Sequence, residues 1–147
     1  MRTVRIGLLG AGFIAHIHME AYKRVYGLEA RVEAVCARSE KTREFALKYG
    51  IPKVYSEYCD LLKDPDIDVA DICTPPQLHA PMIEEFLTAG KHVVCEKPFT
   101  GYFGLPGDEK PVGKVCKRKM YESVLENMDR TAEIIRKSGK LFMYAED

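Results

Sequence analysis

Short apolar runs alternate along the chain with segments whose apolar residues recur at helical spacing. The predicted strands are Val4 to Leu9, Val32 to Cys36, Lys53 to Tyr55, Val69 to Cys73, His92 to Cys95 and Leu141 to Tyr144. The predicted helices are Ile14 to Tyr26 closed by Gly27, the stretch SEKTREFALKYG with Ser39 as N-cap and Gly50 as terminator, Asp60 to Lys63, Pro81 to Ala89, and Tyr121 to Ser138. Apolar strands that alternate with helices indicate a parallel sheet covered on both faces. The pattern therefore predicts a doubly wound α/β domain.

The alternation breaks in one segment, residues 100 to 120. It contains four glycines, two prolines and a cluster of lysines, a composition typical of loops. One interpretation is a solvated surface loop. The other is a flap over the neighbouring strand end, because the segment follows that strand directly and carries Tyr102 and Phe103. We therefore predict a single domain over residues 1–147 with a loop insertion at about 100–120.

Charge and cysteine content narrow the class of protein. The 22 basic and 22 acidic side chains balance, so there is no positive excess to bind a nucleic-acid backbone. No apolar run approaches the roughly eighteen residues of a membrane span. The five cysteines are odd in number and never spaced as CxxC, which favours free thiols in a reducing cytoplasm. We expect a cytoplasmic protein that binds neither nucleic acid nor membrane.

A glycine-rich turn joins the first predicted strand to the first predicted helix, in the sequence GAGFIA. Gly10 permits a tight turn, and Gly12 lets a pyrophosphate approach the backbone. Phe13 and Ile14 open the helix, whose free N–H groups attract phosphate, and the small Ala15 lets the helix lie close to the strand. The motif alone is weak, and a glycine turn without a ligand is the alternative. Its position predicts a dinucleotide site.

The second predicted strand ends in VCARS, where NAD-binding domains place an acidic residue. Here Ala37 takes that position, followed by Arg38 and Ser39. Glu33 is about 13 Å back along the strand and does not replace the acid. A guanidinium and a hydroxyl suit a 2'-phosphate, which indicates NADP, with NAD as the alternative. The competing interpretation is a solvated arginine and a serine that merely caps the second helix.

Two histidines follow the glycine turn, and their spacing bears on metal binding. His16 and His18 are two residues apart, so they point to different faces of a helix. We therefore expect no metal site. His92 begins a strand, so it lies at the edge of the sheet opposite to the glycine turn. Of the four histidines, only His79 could then approach the nicotinamide of a bound nucleotide.

The segments CTPPQLH and CEKPF follow the fourth and fifth predicted strands and so lie at the same sheet edge as the glycine turn. With GAGFIA, in this order and separation, they resemble the Gfo/Idh/MocA oxidoreductase family. The similarity covers about Val4 to Phe99 and resumes from Tyr121 to Tyr144. It implies a Rossmann-type NAD(P)-binding domain.

The resemblance also implies roles for particular residues. Lys97 matches the catalytic lysine that lies beside the nicotinamide and hydrogen-bonds the reacting oxygen of the substrate. The remaining matches are to residues that line or support the nicotinamide side, namely Thr74, Pro75, Pro76, His79 and Glu96. The family commonly has asparagine at the position of Pro76. The charged pair Glu96 and Lys97 is thus predicted to line a site.

Members of the family continue into a second domain that supplies substrate contacts, a catalytic histidine and the subunit interface. The resemblance implies an oxidoreductase that moves hydride between nicotinamide and a hydroxyl or carbonyl of a sugar, cyclitol or related small molecule, as a homo-oligomer when full length. The chain is then expected to be a fragment that is inactive alone. The alternative is a non-catalytic NAD(P)-binding sensor or partner-binding module.

Overall fold

A computed structural model describes residues 3–146, which contain a six-stranded parallel sheet. Its strands are β1 Thr3–Leu9, β2 Glu29–Cys36, β3 Lys53–Tyr55, β4 Val69–Ile72, β5 His92–Glu96 and β6 Phe142–Ala145. They are ordered β3-β2-β1-β4-β5-β6, and every neighbouring pair is parallel. The order changes direction between β1 and β4, which opens a crevice at the carboxyl ends of the strands. The predicted doubly wound Rossmann-type fold is confirmed.

Helices connect the strands and cover both faces of the sheet. They are α1 Phe13–Tyr22, α2 Thr42–Tyr49, α3 Tyr58–Lys63, α4 His79–Thr88 and α5 Lys117–Ser138, with 3-10 turns at Pro76–Leu78 and Val112–Lys114. Consecutive residues of β1 supply the two halves of the core, because side chains alternate across a strand. Leu8 packs with Ala15 of α1 and Phe45 of α2, whereas Leu9 packs with Phe86 of α4.

Helix α1 ends at Tyr22, four residues before the predicted end at Tyr26. Val25 N–H bonds to Tyr22 O in a turn, and the Tyr26 side chain is 93 % exposed. An amphipathic helix is stabilised mainly by the face that it buries, and the residues after Tyr22 offer no such face. Gly27, with φ +85°, lies in a bend beyond this turn and does not end the helix.

Helix α2 begins later than predicted. Lys41, not Ser39, is its N-cap, and the Ser39 hydroxyl accepts a hydrogen bond from Lys41 N–H in a preceding turn. The Ser39 carbonyl accepts a hydrogen bond from the Thr42 hydroxyl at 2.6 Å. The hydroxyl and the carbonyl of Ser39 are thus both used in this turn, before the helix begins. The predicted terminator Gly50 is confirmed, with φ +68°.

The irregular segment after β5 is shorter than predicted, because α5 begins at Lys117. The Asp108 carboxylate accepts hydrogen bonds from the Tyr102 hydroxyl and from Lys119 of α5. These contacts fold the loop back on the start of α5. Helix α4 also begins earlier, at His79, which leaves Pro81 in the first turn, where no helical N–H bond is lost.

All five cysteines are free thiols, and they fall into two groups. Cys36, Cys73 and Cys95 are buried at the carboxyl ends of β2, β4 and β5, whereas Cys59 and Cys116 are exposed. Among residues 3–146, no helix combines the length and the apolar character needed to cross a bilayer.

Candidate functional site

A cleft of about 630 Å³ opens at the carboxyl ends of β1, β2 and β4. Seven residues predicted from the sequence line it: Gly10, Gly12, Phe13, Ile14, Arg38, Thr74 and Pro75. The other predicted residues, which are Ala15, Ser39, Pro76, His79, Glu96 and Lys97, do not line this cleft. The crevice thus combines the glycine turn, the end of the second strand and the loop after the fourth.

Gly10 is required by both backbone conformation and space. Its φ is +109°, and a Cβ there would lie 2.5 Å from the carbonyl oxygen of Cys73. Its N–H donates to the carbonyl of Cys36 at 2.8 Å. Gly10 therefore lets the ends of β1, β2 and β4 approach one another, and any side chain would separate them.

Gly12 differs from Gly10, because no atom lies within 4 Å of the position that its Cβ would take. It is the N-cap of α1, and its side-chain position provides no capping group. The first N–H groups of α1 therefore face an accessible volume, with the positive end of the helix dipole behind them. Free N–H groups at a helix N-terminus are the kind of donors that bind phosphate groups in proteins. The buried Ala15 lies in the core under the helix, as its small size predicts.

The end of β2 carries Ala37 and Arg38 at the cleft, and Arg38 is exposed there. Ser39 lies beyond the cleft, and its hydroxyl is held by Lys41 N–H. Ser56, Glu57 and Tyr58 of the β3–α3 connection also line this end, and the sequence interpretation missed them. The signal available was the position of that connection after β3, since the carboxyl ends of all parallel strands face the same edge.

The Glu96 side chain does not face this cleft. Its carboxylate points inward and the residue is 8 % exposed, with one oxygen accepting from Lys97 N–H at 3.2 Å. The other oxygen accepts from His18 Nε2 at 3.0 Å. A buried carboxylate needs such donors. Glu96 therefore turns into the protein at the end of β5, and only Lys97 of the predicted charged pair is exposed. Lys97 stands just past β5 with its residue exposed.

His79 lies under the site and joins two of its loops. The ring is fully buried, with Nδ1 2.7 Å from the carbonyl oxygen of Pro98 and Nε2 2.8 Å from that of Thr74. It therefore fixes the loop after β4 against the loop after β5 and has no exposed edge. Pro76 opens the 3-10 turn between Thr74 and His79.

His18 is the histidine that reaches the end of β5, which the sequence interpretation did not foresee. Its Nδ1 is 2.8 Å from Asp71 and its Nε2 is 3.0 Å from Glu96, while His16 contacts Tyr49 on the opposite side. Hydrogen bonding to Asp71, aided by the charges of both carboxylates, raises the pKa of His18 to about 9 despite burial. A carboxylate lies at each ring nitrogen, and this arrangement favours the imidazolium, which donates from both nitrogens.

The surroundings of His18 are also buried and polar. The Tyr22 hydroxyl donates to Asp71 at 2.8 Å, and the Cys73 sulfur lies 3.6 Å from His18 Nδ1. Ligand-type atoms of His18, Asp71 and Cys73 come within 4.8 Å of one another. However, burial raises the pKa of the Cys73 thiol far above its ordinary value, and both ring nitrogens of His18 are already within hydrogen-bond distance of carboxylates.

Comparison with known proteins places these features in a family. Residues 4–120 match the family model described as "Oxidoreductase family, NAD-binding Rossmann fold" (GFO_IDH_MocA). Trans-1,2-dihydrobenzene-1,2-diol dehydrogenase of Mus musculus is 42% identical over 97 residues, which cover 65% of this chain and 29% of that protein. Levoglucosan dehydrogenase of Pseudarthrobacter phenanthrenivorans is 35% identical over 105 residues, covering 67% of this chain and 27% of that protein.

Solved structures agree with this. The biliverdin reductase of Synechocystis, solved with biliverdin and NADP+, is 26% identical with a TM-score of 0.73, and the match covers 96% of this chain and 37% of that one. The chain thus spans less than a third of the length of the two dehydrogenases and little more than a third of the reductase.

Proposed function

The chain belongs to the Gfo/Idh/MocA family of oxidoreductases, and we propose that it is the NADP(H)-binding domain of an enzyme acting on a sugar, cyclitol or related small molecule. The reaction is transfer of hydride between the nicotinamide and a hydroxyl or carbonyl carbon of that substrate. The relatives named as diol and levoglucosan dehydrogenases support this class of substrate.

The glycine cradle is the observation that carries the proposal. Gly10 brings three strand ends together, and Gly12 leaves open space in front of the first N–H groups of α1. In this arrangement the backbone donates hydrogen bonds to a pyrophosphate without competition from a capping side chain. The residues proposed to contact the cofactor or to support its site are Gly10, Gly12, Phe13, Ile14 and Ala15, together with Arg38, Ser39, Thr74, Pro75, Pro76, His79, Glu96 and Lys97.

Arg38 supports a preference for NADP over NAD. Its exposed guanidinium borders the cleft at the end of β2, and Ala37 replaces the carboxylate that would repel a 2'-phosphate. A guanidinium pairs with phosphate oxygens through two parallel hydrogen bonds. Glu57, at the same end of the cleft, limits this preference because its carboxylate is also exposed.

Lys97 is the proposed catalytic residue. It follows β5, whose neighbour in the sheet is β4, and Thr74 and Pro75 after β4 line the cleft. The bound nicotinamide supplies or accepts the hydride. The Lys97 ammonium then stabilises the negative charge that develops on the reacting substrate oxygen, and it holds that oxygen in place.

We also infer that the protein acts in the cytoplasm, binds neither nucleic acid nor membrane, and forms a homo-oligomer when full length. The free thiols and the balanced charge support the first two points. The family resemblance supports the third.

Nucleotide titration of two matched glycine variants tests the proposal. We expect the chain to bind NADP+ in a calorimeter, and Gly12→Asp to weaken binding at least about tenfold because a carboxylate would then face the pyrophosphate. Gly113→Asp is the control, since Gly113 also has open space at its Cβ and lies in the loop before α5. Absence of binding to both NADP+ and NAD+, or wild-type affinity of the Gly12 variant, would contradict the proposal.

A further inference from the structure

A chain of buried polar groups runs beneath the cleft from α1 through β4 to the end of β5. It connects the Tyr22 hydroxyl, the Asp71 carboxylate, the His18 imidazole and the Glu96 carboxylate, which contacts Lys97 N–H. We propose that His18 is a positioning residue, which by bridging Asp71 and Glu96 fixes the backbone that presents Lys97. The inference rests on the proposed function only in assigning Lys97 its role.

The charge balance shows why the histidine is needed. Asp71 is fully buried in the middle of β4, where its register partners are Leu8 of β1 and Val94 of β5. A carboxylate in such surroundings is costly unless it is paired. His18 and Tyr22 are four residues apart, so both face Asp71 from one side of α1. Without the imidazolium, the carboxylates of Asp71 and Glu96 would repel each other across the space it occupies.

The geometry of Glu96 transmits this arrangement to Lys97. One Glu96 oxygen is fixed by His18 and the other accepts from the backbone N–H of Lys97. The carboxylate can therefore take one orientation that satisfies both donors. A change at His18 would free Glu96 to rotate, and the first residue after β5 would lose the contact that sets its backbone.

The bridge also joins the two functional ends of the site. Helix α1 starts at the glycine cradle, and one turn further along it His18 holds the strand that ends before Lys97. His16, on the same helix, contacts Tyr49 and Phe45 of α2 instead. The position of Lys97 relative to the phosphate-binding N–H groups therefore depends on His18 and not on His16.

Carbon-detected NMR of the labelled 147-residue chain tests the bridge without any nucleotide. Between about pH 7 and 10.5 we expect the Lys97 amide nitrogen to shift with the same midpoint, about 9, as the imidazole carbons of His18. The other titratable groups facing this ring are Asp71 and Cys73 from β4, Glu96 from β5 and Tyr22 from α1 itself. A Lys97 resonance that ignores the His18 titration overturns the proposal, even if the variants below do not fold.

Two glutamine variants then test positioning. On addition of NADP+, His18→Gln should lose the shift of Lys97 and keep the shifts of Gly10 and Gly12, whereas His16→Gln should keep all three. If His18→Gln retains the Lys97 shift, His18 has no specific positioning role. The same conclusion follows if the variant loses the shifts of Gly10 and Gly12 together with that of Lys97. Failure of the wild-type chain to shift with any nicotinamide nucleotide would contradict the proposed function, and the pH titration would still decide whether the bridge exists.

Discussion

Arg38 is the residue on which discrimination between the two nicotinamide nucleotides depends. We expect NADP(H) to bind at least about tenfold more tightly than NAD(H), a difference of about 1.4 kcal/mol. Arg38→Ala should remove most of this difference and leave NAD affinity almost unchanged, because only the 2'-phosphate distinguishes the ligands. Titration calorimetry measures the affinity of each variant for the two nucleotides. Arg43→Ala, which removes an exposed arginine of α2, is the charge-matched control. Equal affinity of the wild-type chain for both nucleotides would contradict the prediction.

Lys97 is expected to act on turnover rather than on nucleotide affinity. In a longer polypeptide that joins this domain to a substrate domain, Lys97→Met should lower kcat by about a hundredfold or more while NADP still binds, because the lost interaction is with the reacting oxygen. Methionine keeps most of the aliphatic stem, so packing changes little. Steady-state kinetics and calorimetry on the same variant separate the two effects, and near-normal turnover would exclude the catalytic role.

Single residues were predicted from sequence where a backbone rule applies. Gly10 follows from the requirement for positive φ and close approach, and the structure shows both. The inward orientation of Glu96 could not be predicted, because it depends on a hydrogen bond from His18, which lies 78 residues away in sequence. No local pattern encodes that pairing.

At the scale of elements, the imidazole of His18 links α1 to both β4 and β5, and the Tyr22 hydroxyl adds a second link to β4. The pKa of His18 is raised from 6.5 to about 9 in the folded protein, so folding favours the protonated form. The resulting stabilisation is complete below about pH 6.5 and is lost as pH rises through about 9. From about pH 7 to 10, the free energy of unfolding should therefore fall by roughly 2 to 3 kcal/mol from this group.

Urea unfolding at a series of pH values checks this contribution. The measurement compares the wild-type chain with His18→Gln, which should be less stable at pH 7 and should show a smaller decrease toward about pH 10. His16→Gln should follow the wild-type profile. A wild-type stability that rises over this range relative to His18→Gln would contradict the sign of the effect.

Element ends were predicted less well than element identities, for physical reasons that differ from case to case. Gly50 ends α2 as predicted, because a left-handed terminator is a local property of glycine. The end of α1 at Tyr22 depends on which residues the helix buries, and the start of α2 depends on hydrogen bonds of a preceding turn. Those determinants are tertiary.

At the scale of the whole molecule, the alternation of apolar strands and helices was sufficient to predict the doubly wound parallel sheet. One side of the cleft follows from that topology, because its residues Gly10, Arg38 and Thr74 lie within two residues of a strand end. The contribution of Ser56, Glu57 and Tyr58 depends on how β3, a strand of three residues, is placed at the edge of the sheet. Such a short strand carries little periodic signal.

We expect the 147-residue chain to bind NADP and to catalyse no turnover. Each of its four histidines already contacts a protein group: His16 meets Tyr49, His18 meets two carboxylates, His79 meets two carbonyls, and His92 Nδ1 accepts from Leu141 N–H. None is placed as a proton donor to a substrate beside Lys97. General acid–base assistance of about a hundredfold or more would then be lacking.

The measurement mixes the purified chain with NADP+ and a panel of sugars and cyclitols and follows the absorbance of reduced nicotinamide, with binding checked in parallel. Steady turnover would show that the site is complete in this chain. Binding alone agrees with the prediction. A catalytically silent chain that gains activity when joined to a substrate domain would further separate the oxidoreductase from a nucleotide sensor.

The buried and exposed thiols allow local opening of the sheet to be followed by thiol labelling. Cys59 and Cys116 should react with a thiol reagent at once, and Cys36 and Cys73, which border the cleft, should react slowly. Cys95 is fully buried and should react only when the end of β5 separates from its neighbours. Burial raises the pKa of Cys36 to about 11 and of Cys95 to about 12, so neither thiol reacts readily in the native state. Peptide mapping of the slow labels would separate the opening of β5, reported by Cys95, from direct shielding of Cys36 and Cys73 by a nucleotide in the cleft.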